Sequence, residues 1–236
     1  MLRQLPIWTH LSLSRREAIY GYLFILPWFI GFLALRFGPM LASLFLSFTE
    51  YDILSAPQFI GLANYVKMFT DDASFWDALR VTLTYAIFAV PIGMALSLII
   101  ALLLNQNVPG IALWRTIYYL PSVVSGVAVA MLWVWLFHSQ FGLFNLALSL
   151  IGIDGPAWLS DPDWALTALI IMSFWTIGGG MVINLAGLQG IPTELYEAAS
   201  LDGANAWHRF WSVTLPMMSP VLFFNLVMGV IETFQY

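Results

Sequence analysis

The chain has 236 residues, of which 61% are hydrophobic, 16% aromatic and 9% charged, with a net charge of -5 and no cysteine. An ordinary soluble domain has about 25% charged residues, so this composition excludes that class and predicts a polytopic membrane protein. The absence of cysteine excludes disulfides, thiolate metal ligands and cysteine nucleophiles.

The N-terminal segment, residues 1–18, carries Arg3, Arg15 and Arg16 ahead of a long and bulky apolar run. No small-residue cleavage site follows, so the pattern favours a signal anchor over a cleaved or twin-arginine signal. Because arginine and lysine in short segments mark the cytoplasmic side, we expect the N-terminus in the cytoplasm.

The first predicted span covers residues 19–48 and is interrupted by Arg36, Gly38 and Pro39. The apolar residues after Pro39 would cover only about 15 Å, half of a hydrocarbon layer of about 30 Å, so they belong to one long, kinked span. Two interpretations of Arg36 remain open: a side chain that snorkels to the outer interface, and one that lines a polar path. The following segment, residues 50–80, mixes acidic and aromatic residues, as is typical of the headgroup region.

Further spans are predicted at residues 81–104, 117–137 and 165–185. Pro91 and Pro121 lie inside two of them, and neighbouring helices can satisfy the freed carbonyls, so kinked helices are expected. The last of these spans contains three adjacent glycines at 178–180, each of which lowers helix stability by roughly 1 kcal/mol relative to alanine. Either close helix packing or irregular backbone along a substrate cavity can offset that cost.

Residues 190–216, called the hook below, form the long stretch between apolar runs that itself has an ordered pattern. Thr193 is expected to cap a first helix whose first turns are acidic, where the helix dipole favours negative charge. Gly203 can adopt the left-handed conformation that ends a helix. Asn205 can cap a second helix that runs to about residue 215, which completes a helix-turn-helix.

The hook resembles the EAA loop of permease subunits in binding-protein-dependent ABC importers. The resemblance rests on Glu197-Ala198-Ala199, Asp202-Gly203-Ala204, Phe210, Leu215-Pro216 and Pro220, together with their spacing. It implies that the first helix of the hook is a coupling helix that docks on a cytoplasmic ATPase subunit. Glu197 would face basic groups of that ATPase, and Gly203 would orient the hook. The residues assigned to coupling are Glu194, Glu197, Ala198, Ala199, Asp202, Gly203 and Pro216.

The resemblance extends over most of the chain, through FIGLANY at residues 59–65 and RTIYYLP at residues 115–121, and is nearest to the maltose, trehalose and glycerol-phosphate type of permease. It implies an all-α polytopic helical bundle, with a cytoplasmic tail at 1–18 and a transmembrane permease domain at 19–236. The implied partners are two copies of an ABC ATPase, a second homologous permease and an extracytoplasmic solute-binding protein. The implied location is the plasma membrane of a bacterium or archaeon, with no nucleic-acid partner.

The implied function is transport of a sugar or related polyol that the solute-binding protein delivers. No cofactor is expected, since ATP binds to the partner ATPases. The chain indeed contains no P-loop pattern, GxxxxGK[ST]. Because sugar recognition needs only a few hydrogen bonds and an aromatic face, the particular sugar is not predicted.

The last predicted span, residues 220–236, contains Glu232 at a depth of roughly 17 Å along the helix, where a carboxylate costs about 2.5 to 3.5 kcal/mol. Glu232 and Gln235 share a helix face and are predicted to line the substrate path, opposite Trp175 and Thr176. In the maltose-type permeases that the chain resembles, polar residues at about these positions contact the sugar, although an amide stands where this chain has Glu232. The alternative is a carboxylate kept protonated or paired with the second permease. Permeases of this type place two spans after the loop, so a further C-terminal span is expected to be missing.

Alternative functions are a permease for a non-carbohydrate solute and an ion-coupled secondary transporter. The latter would need paired broken helices and buried coupling carboxylates, whereas Glu232 is the one clear intramembrane carboxylate in the sequence. An intramembrane enzyme would need a nucleophile or metal ligands beside a general base, which no span combines. No ligand spacing around His138 supports a metal site.

Overall fold

The structure is a computed structural model that describes residues 12–106 and 108–235. Arg3, used above to orient the N-terminus, and Tyr236, at the end of the last predicted span, lie outside the described residues. The chain divides into two compact units, residues 1–76 and 77–236.

The first unit consists of a nearly continuous helix, a short hairpin and a further helix. Its elements are α1 (Leu13–Phe32), a π-helical turn (Leu33–Phe37), α2 (Gly38–Leu46), β1 (Thr49–Glu50), β2 (Gln58–Phe59) and α3 (Ala63–Thr70). The run Leu13–Leu46 is 34 residues long and apolar enough to cross a bilayer. Since the wide π turn ends two residues before Pro39, the helix absorbs the missing N–H of that proline without breaking.

The hairpin of the first unit is held by local hydrogen bonds. Its strands pair antiparallel, with Thr49 opposite Phe59. Nδ2 of Asn64 on α3 donates to the carbonyl oxygen of Thr49 over 2.9 Å, which ties the helix to the strand. In the turn, the hydroxyl and the backbone N–H of Ser55 both donate to the carboxylate of Asp52, and these bonds lower the pKa of that carboxyl.

The second unit holds the rest of a predominantly helical chain. Its elements are α4 (Ala73–Leu104, which begins in the first unit), α5 (Ile111–Tyr119), a 3₁₀ turn (Leu120–Val123), α6 (Gly126–Leu136), α7 (Leu143–Leu150), α8 (Pro162–Ser173), a 3₁₀ turn (Phe174–Thr176), α9 (Gly178–Gln189), α10 (Thr193–Leu201), α11 (Ala206–Arg209), a π-helical turn (Phe210–Thr214) and α12 (Leu215–Thr233). Within the described ranges, three helices are long and apolar enough to cross a membrane, or up to five if each bent pair counts as one span. The protein is therefore all-α and polytopic, and the limits of the individual spans stay predictions.

Two helix pairs in the second unit are bent at short breaks. The helices on either side of Val124 and Ser125 meet at 95°, because Val124 is extended after the 3₁₀ turn that contains Pro121. The pair around Ile177 is bent by 49°. By contrast, α4 runs through Pro91 as one helix. A proline alone therefore does not decide where these helices break.

Two buried apolar clusters form the core of the second unit. The first joins α4, α9 and α12 and comprises Leu98, Ala101, Leu104, Met181, Leu185, Leu188, Ile191 and Met218. Tyr196 and Val213 of the hook pack against this cluster. The second cluster is largely aromatic and comprises Trp133, Phe137, Trp158 and Ala168. The hook is thus packed on the same core that supports α4, α9 and α12.

Candidate functional site

The first helix of the hook, α10, ends in a left-handed glycine. Gly203 has a φ of +80°. Its N–H donates to the carbonyl of Ser200 over 3.1 Å, and the N–H of Ala204 donates to the carbonyl of Ala199 over 2.9 Å. These two bonds are those of a Schellman motif, which satisfies the last carbonyls of a helix while reversing the chain. The predicted turn at Gly203 is confirmed.

The two helix starts in the hook differ from each other. Asn205 caps the second helix as predicted, since its Oδ1 accepts from the N–H of His208 over 2.9 Å. Thr193, predicted as a cap, is instead the first helical residue. Pro192 takes the cap position, and its carbonyl accepts from the N–H of Leu195. The prediction was wrong by one residue because the extended backbone of Pro192 already provides the entry to the helix.

One face of α10 is exposed and combines acidic with apolar side chains. The exposed acidic and apolar residues are Glu194, Leu195, Glu197, Ala198 and Leu201, and Asp202 just beyond the helix is exposed as well. Leu201 is 90% exposed and lies beside the acidic side chains of this face. Tyr196 and Ala199 are half-buried on the other side. The predicted coupling residues therefore divide, with Ala199 on the inner side and Glu197 and Ala198 on the exposed face.

The hook continues directly into α12. The predicted end of its second helix near residue 215 was wrong, because residues Ala206–Thr233 run as one helix of 28 residues. Pro216 lies two residues beyond the π turn, in which the N–H of Leu215 reaches back to the carbonyl of Phe210. The wider turn makes room for the proline ring, so Pro216 modifies the helix without ending it.

A cavity of about 560 Å³ lies among α4, α9 and α12. Its wall is mainly apolar, with polar side chains at Tyr85, Ser97, Ser173, Thr176, Asn225, Glu232 and Thr233. A mostly apolar cavity with a few convergent polar groups is the usual form of a small-molecule site. Glu232 is the one charged side chain among the lining residues, all of which belong to the described part of the chain.

The predicted substrate-path residues are only partly brought together. Thr176 and Glu232 line the cavity, whereas Trp175 and Gln235 do not. Trp175 is 39% exposed and packs perpendicular to the buried Trp133, with ring centroids 6.1 Å apart. Gln235 is exposed beyond the end of α12, and its N–H donates to the carbonyl of Glu232.

Three polar residues near the cavity were missed by the sequence analysis. Ser97, Asn184 and Asn225 come from α4, α9 and α12 and form a hydrogen-bonded chain. The signal that could have found them is an asparagine inside an otherwise apolar run, as in MVINLAGL and LFFNLVM. Such a side chain needs a partner when it is buried in a membrane helix.

The three adjacent glycines have different surroundings. A Cβ on Gly178 would lie 2.4 Å from the carbonyl oxygen of Tyr118, so this glycine permits close packing against the α5 segment. Gly179 and Gly180 line the cavity, and a Cβ on Gly179 would meet nothing within 4 Å. Close packing therefore explains Gly178, whereas the predicted irregular backbone is not found at the glycines, since all three lie in the regular helix α9.

His138 takes part in packing. Its ring stacks on Phe141 with centroids 3.4 Å apart, and its Nδ1 accepts from the N–H of Gln140. In residues 12–106 and 108–235, no group of three or more His, Asp or Glu side chains is placed to hold a metal ion.

Comparison with known proteins places these features in a family. Residues 93–235 match the model of the binding-protein-dependent transport system inner membrane component. The chain is 47% identical to the probable ABC transporter permease protein YesP of Bacillus subtilis, over 94% of this chain and 72% of that protein. It is 35% identical to the trehalose/maltose transport system permease protein MalF of Thermococcus litoralis, over 95% of this chain and 76% of that protein. It is also 37% identical to the lactose transport system permease protein LacF of Rhizobium radiobacter, over 95% of this chain and 76% of that protein.

Solved structures give the same result. The crystal structure of a bacterial alginate ABC transporter in complex with an alginate pentasaccharide-bound periplasmic protein contains a chain that matches with a TM-score of 0.77 and 30% identity. The match covers 92% of this chain and 72% of that chain.

Proposed function

The chain belongs to the family of binding-protein-dependent transport system inner membrane components. We propose that a partner ATPase docks on its hook and drives transport through that contact. The chain is a membrane-spanning permease subunit of a carbohydrate ABC importer and not an enzyme. The ion-coupled secondary transporter considered above is thereby set aside.

The observation that carries the coupling proposal is the continuity between hook and cavity. The exposed face of α10 offers Glu197, Ala198 and Leu201 to a partner, while Tyr196 on the opposite side packs on the core. From the Schellman turn the chain enters a single helix that continues to the cavity wall at Glu232. A force applied to α10 thus reaches the cavity through packed helices, without a flexible linker.

The proposed assembly has this chain beside a second, homologous permease, with two ATPase copies on the cytoplasmic side. A solute-binding protein delivers the carbohydrate from the other side. The orientation rests on charge: the N-terminal segment and the hook carry Arg15, Arg16 and Arg209, whereas the segments assigned to the outside are rich in aspartate. We accordingly propose that the N-terminus and the hook lie in the cytoplasm.

The proposed substrate path passes Thr176 and Glu232 in the cavity, with Trp175 and Gln235 flanking it. Support comes from the mostly apolar wall and its few hydroxyl, amide and carboxylate groups, which suit a ligand with many hydroxyls. Trp175 directly precedes Thr176, and its partly exposed ring offers the aromatic face that sugars favour.

Purification in detergent followed by reconstitution tests the assembly. We expect the tagged chain to retain an ATPase and a second permease, and proteoliposomes with all partners and the liganded binding protein to transport sugar only when ATP is supplied. The chain alone should transport nothing. ATP-independent transport by the chain alone would contradict the proposal.

A further inference from the structure

The chain of Ser97, Asn184 and Asn225 joins three helices at the wall of the cavity. Nδ2 of Asn184 donates to Oγ of Ser97 over 3.0 Å, and Nδ2 of Asn225 donates to Oδ1 of Asn184 over 2.9 Å. Ser97 and Asn225 line the cavity, whereas Asn184 is fully buried behind them. The polar groups therefore lead from the core to the cavity surface, and they end there at Asn225.

The direction of these bonds follows from the serine. The hydroxyl of Ser97 donates its one hydrogen to the carbonyl oxygen of Met94, over 2.9 Å. Toward Asn184 it can therefore only accept, so Asn184 must present its NH₂ group to Ser97 and its carbonyl oxygen to Asn225. Asn225 must then present its own NH₂ group to Asn184. The rotamer and the amide orientation of Asn225 are thus determined by residues behind the wall.

The pairing with Asn184 uses one N–H of Asn225. Its carbonyl oxygen and its second N–H remain for a molecule in the cavity. Asn225 is half-buried and is one of the lining residues. The wall also contains Gly93 and Gly179, where a Cβ would meet nothing within 4 Å, so space exists for a ligand.

We propose that Asn225 binds a hydroxyl group of the transported carbohydrate, and that Asn184 and Ser97 are positioning residues that hold its carboxamide in the binding orientation. The inference rests on the proposed function, namely that sugar passes through this cavity. A carboxamide suits the task because a sugar hydroxyl donates to its oxygen and accepts from its N–H at once. An amide fixed in advance loses no conformational freedom on binding, which favours affinity and discrimination.

The test compares sugars that differ by a single hydroxyl. The full complex is reconstituted in proteoliposomes, and transport is measured at saturating liganded binding protein, so that delivery is equal for every sugar. The probes are maltose, trehalose and lactose, each beside its mono-deoxy analogues. For the wild type, we expect at least one analogue to be transported about tenfold more slowly than its parent sugar, because removal of its hydroxyl leaves Asn225 unpaired.

In Asn225→Ala the ratio of the two transport rates, parent sugar over deoxy analogue, should fall from about tenfold to about onefold. The parent sugar should be transported more slowly and the analogue at an unchanged rate. Asn184→Leu should reduce the same preference, and the double variant should behave like Asn225→Ala alone, because Asn184 acts only through Asn225. Asn184→Ala also removes the oxygen that accepts from Asn225 and should reduce the preference in the same way, so it serves as a second variant should the leucine variant fail to assemble. Asn64→Ala removes an asparagine in the first unit and should leave the preference intact.

The outcomes distinguish failure of carbohydrate transport through the cavity from failure of the role given to Asn225. If the wild type transports neither these disaccharides nor longer oligosaccharides, the passage of carbohydrate through this cavity is contradicted, and this inference with it. If the wild type discriminates and Asn225→Ala keeps every preference, the role of Asn225 alone is overturned. If Asn184→Leu lowers only the thermal stability of the complex, or adds its effect to that of Asn225→Ala, the positioning role is overturned.

Discussion

The hydroxyl groups of Tyr196 and Thr214 lie 3.0 Å apart and join the first helix of the hook to the π turn that precedes α12. Thr214 is 5% exposed, so this hydrogen bond is shielded from solvent on that side. A second bond, from Nη1 of Arg209 at the end of α11 to Oγ of Ser200 over 3.2 Å, connects α10 to α11 at the surface. The two bonds fix the angle at which α10 leaves the membrane helix.

Tyr196→Phe removes the hydroxyl and keeps the ring that packs on the core. The variant should assemble with its ATPase but transport several-fold less sugar per ATP hydrolysed, because α10 can then move without moving α12. Loss of one such bond costs about 1 kcal/mol, too little to unfold the bundle. Tyr51→Phe, on the hairpin, is the matched control. An unchanged ratio of transport to hydrolysis in Tyr196→Phe would show that the bond does not contribute to coupling.

Gly203→Val should disturb the hook through its backbone. A Cβ at this position meets nothing within 4 Å, so the cost comes from the φ of +80° and amounts to roughly 1 to 2 kcal/mol. We expect weaker ATPase association and lower uptake with the spans intact, and a smaller effect for Gly203→Asn, since asparagine tolerates this conformation better. Co-purification yield and uptake are the measurements. Equal behaviour of the two variants would contradict the assignment to backbone conformation.

Glu197→Lys reverses the charge at the exposed face of α10. If Glu197 faces basic groups of the ATPase, the lysine should weaken association and abolish uptake while the bundle stays folded. Glu17→Lys reverses another exposed carboxylate, outside the hook, and should retain both ATPase association and sugar uptake. Wild-type uptake in Glu197→Lys would exclude a coupling role.

Two substitutions of Glu232 distinguish contact with the substrate from contact with the second permease. Glu232→Gln keeps hydrogen-bonding capacity in the cavity, whereas Glu232→Leu removes it. Contact with substrate predicts altered sugar preference in both variants, stronger in the leucine variant, with the complex intact. Loss of assembly with unchanged preference would instead place Glu232 at the interface with the second permease. Uptake competition and size-exclusion profiles measure the two properties.

Gly178→Ala should destabilise the protein where Gly179→Ala does not. The new methyl group at Gly178 would lie 2.4 Å from a backbone carbonyl, which cannot rotate away, and such overpacking costs typically 1 to 3 kcal/mol. The methyl group at Gly179 meets open space in the cavity. The melting temperature of the detergent-solubilised chain should fall only for Gly178→Ala. Equal melting temperatures would show that α9 can shift away from α5.

Local chemistry along the chain was sufficient for much of the prediction. Apolar runs predicted an all-α polytopic protein because backbone groups in lipid must bond within their own segment. The left-handed Gly203 and the cap at Asn205 were predictable since both depend on a few adjacent residues. Family membership was likewise readable from the spacing of residues in the hook.

Only the tertiary structure decided which distant residues meet. Ser97, Asn184 and Asn225 are 87 and 41 positions apart along the chain, and no periodicity links them. Their partnership depends on which faces of α4, α9 and α12 turn toward one another, a property of the packing and not of any single segment. Trp175 is excluded from the cavity lining for the same reason, because the buried Trp133 offers its ring a packing partner on α6. Local sequence determines what each helix can do, and packing determines which of its side chains reach the cavity.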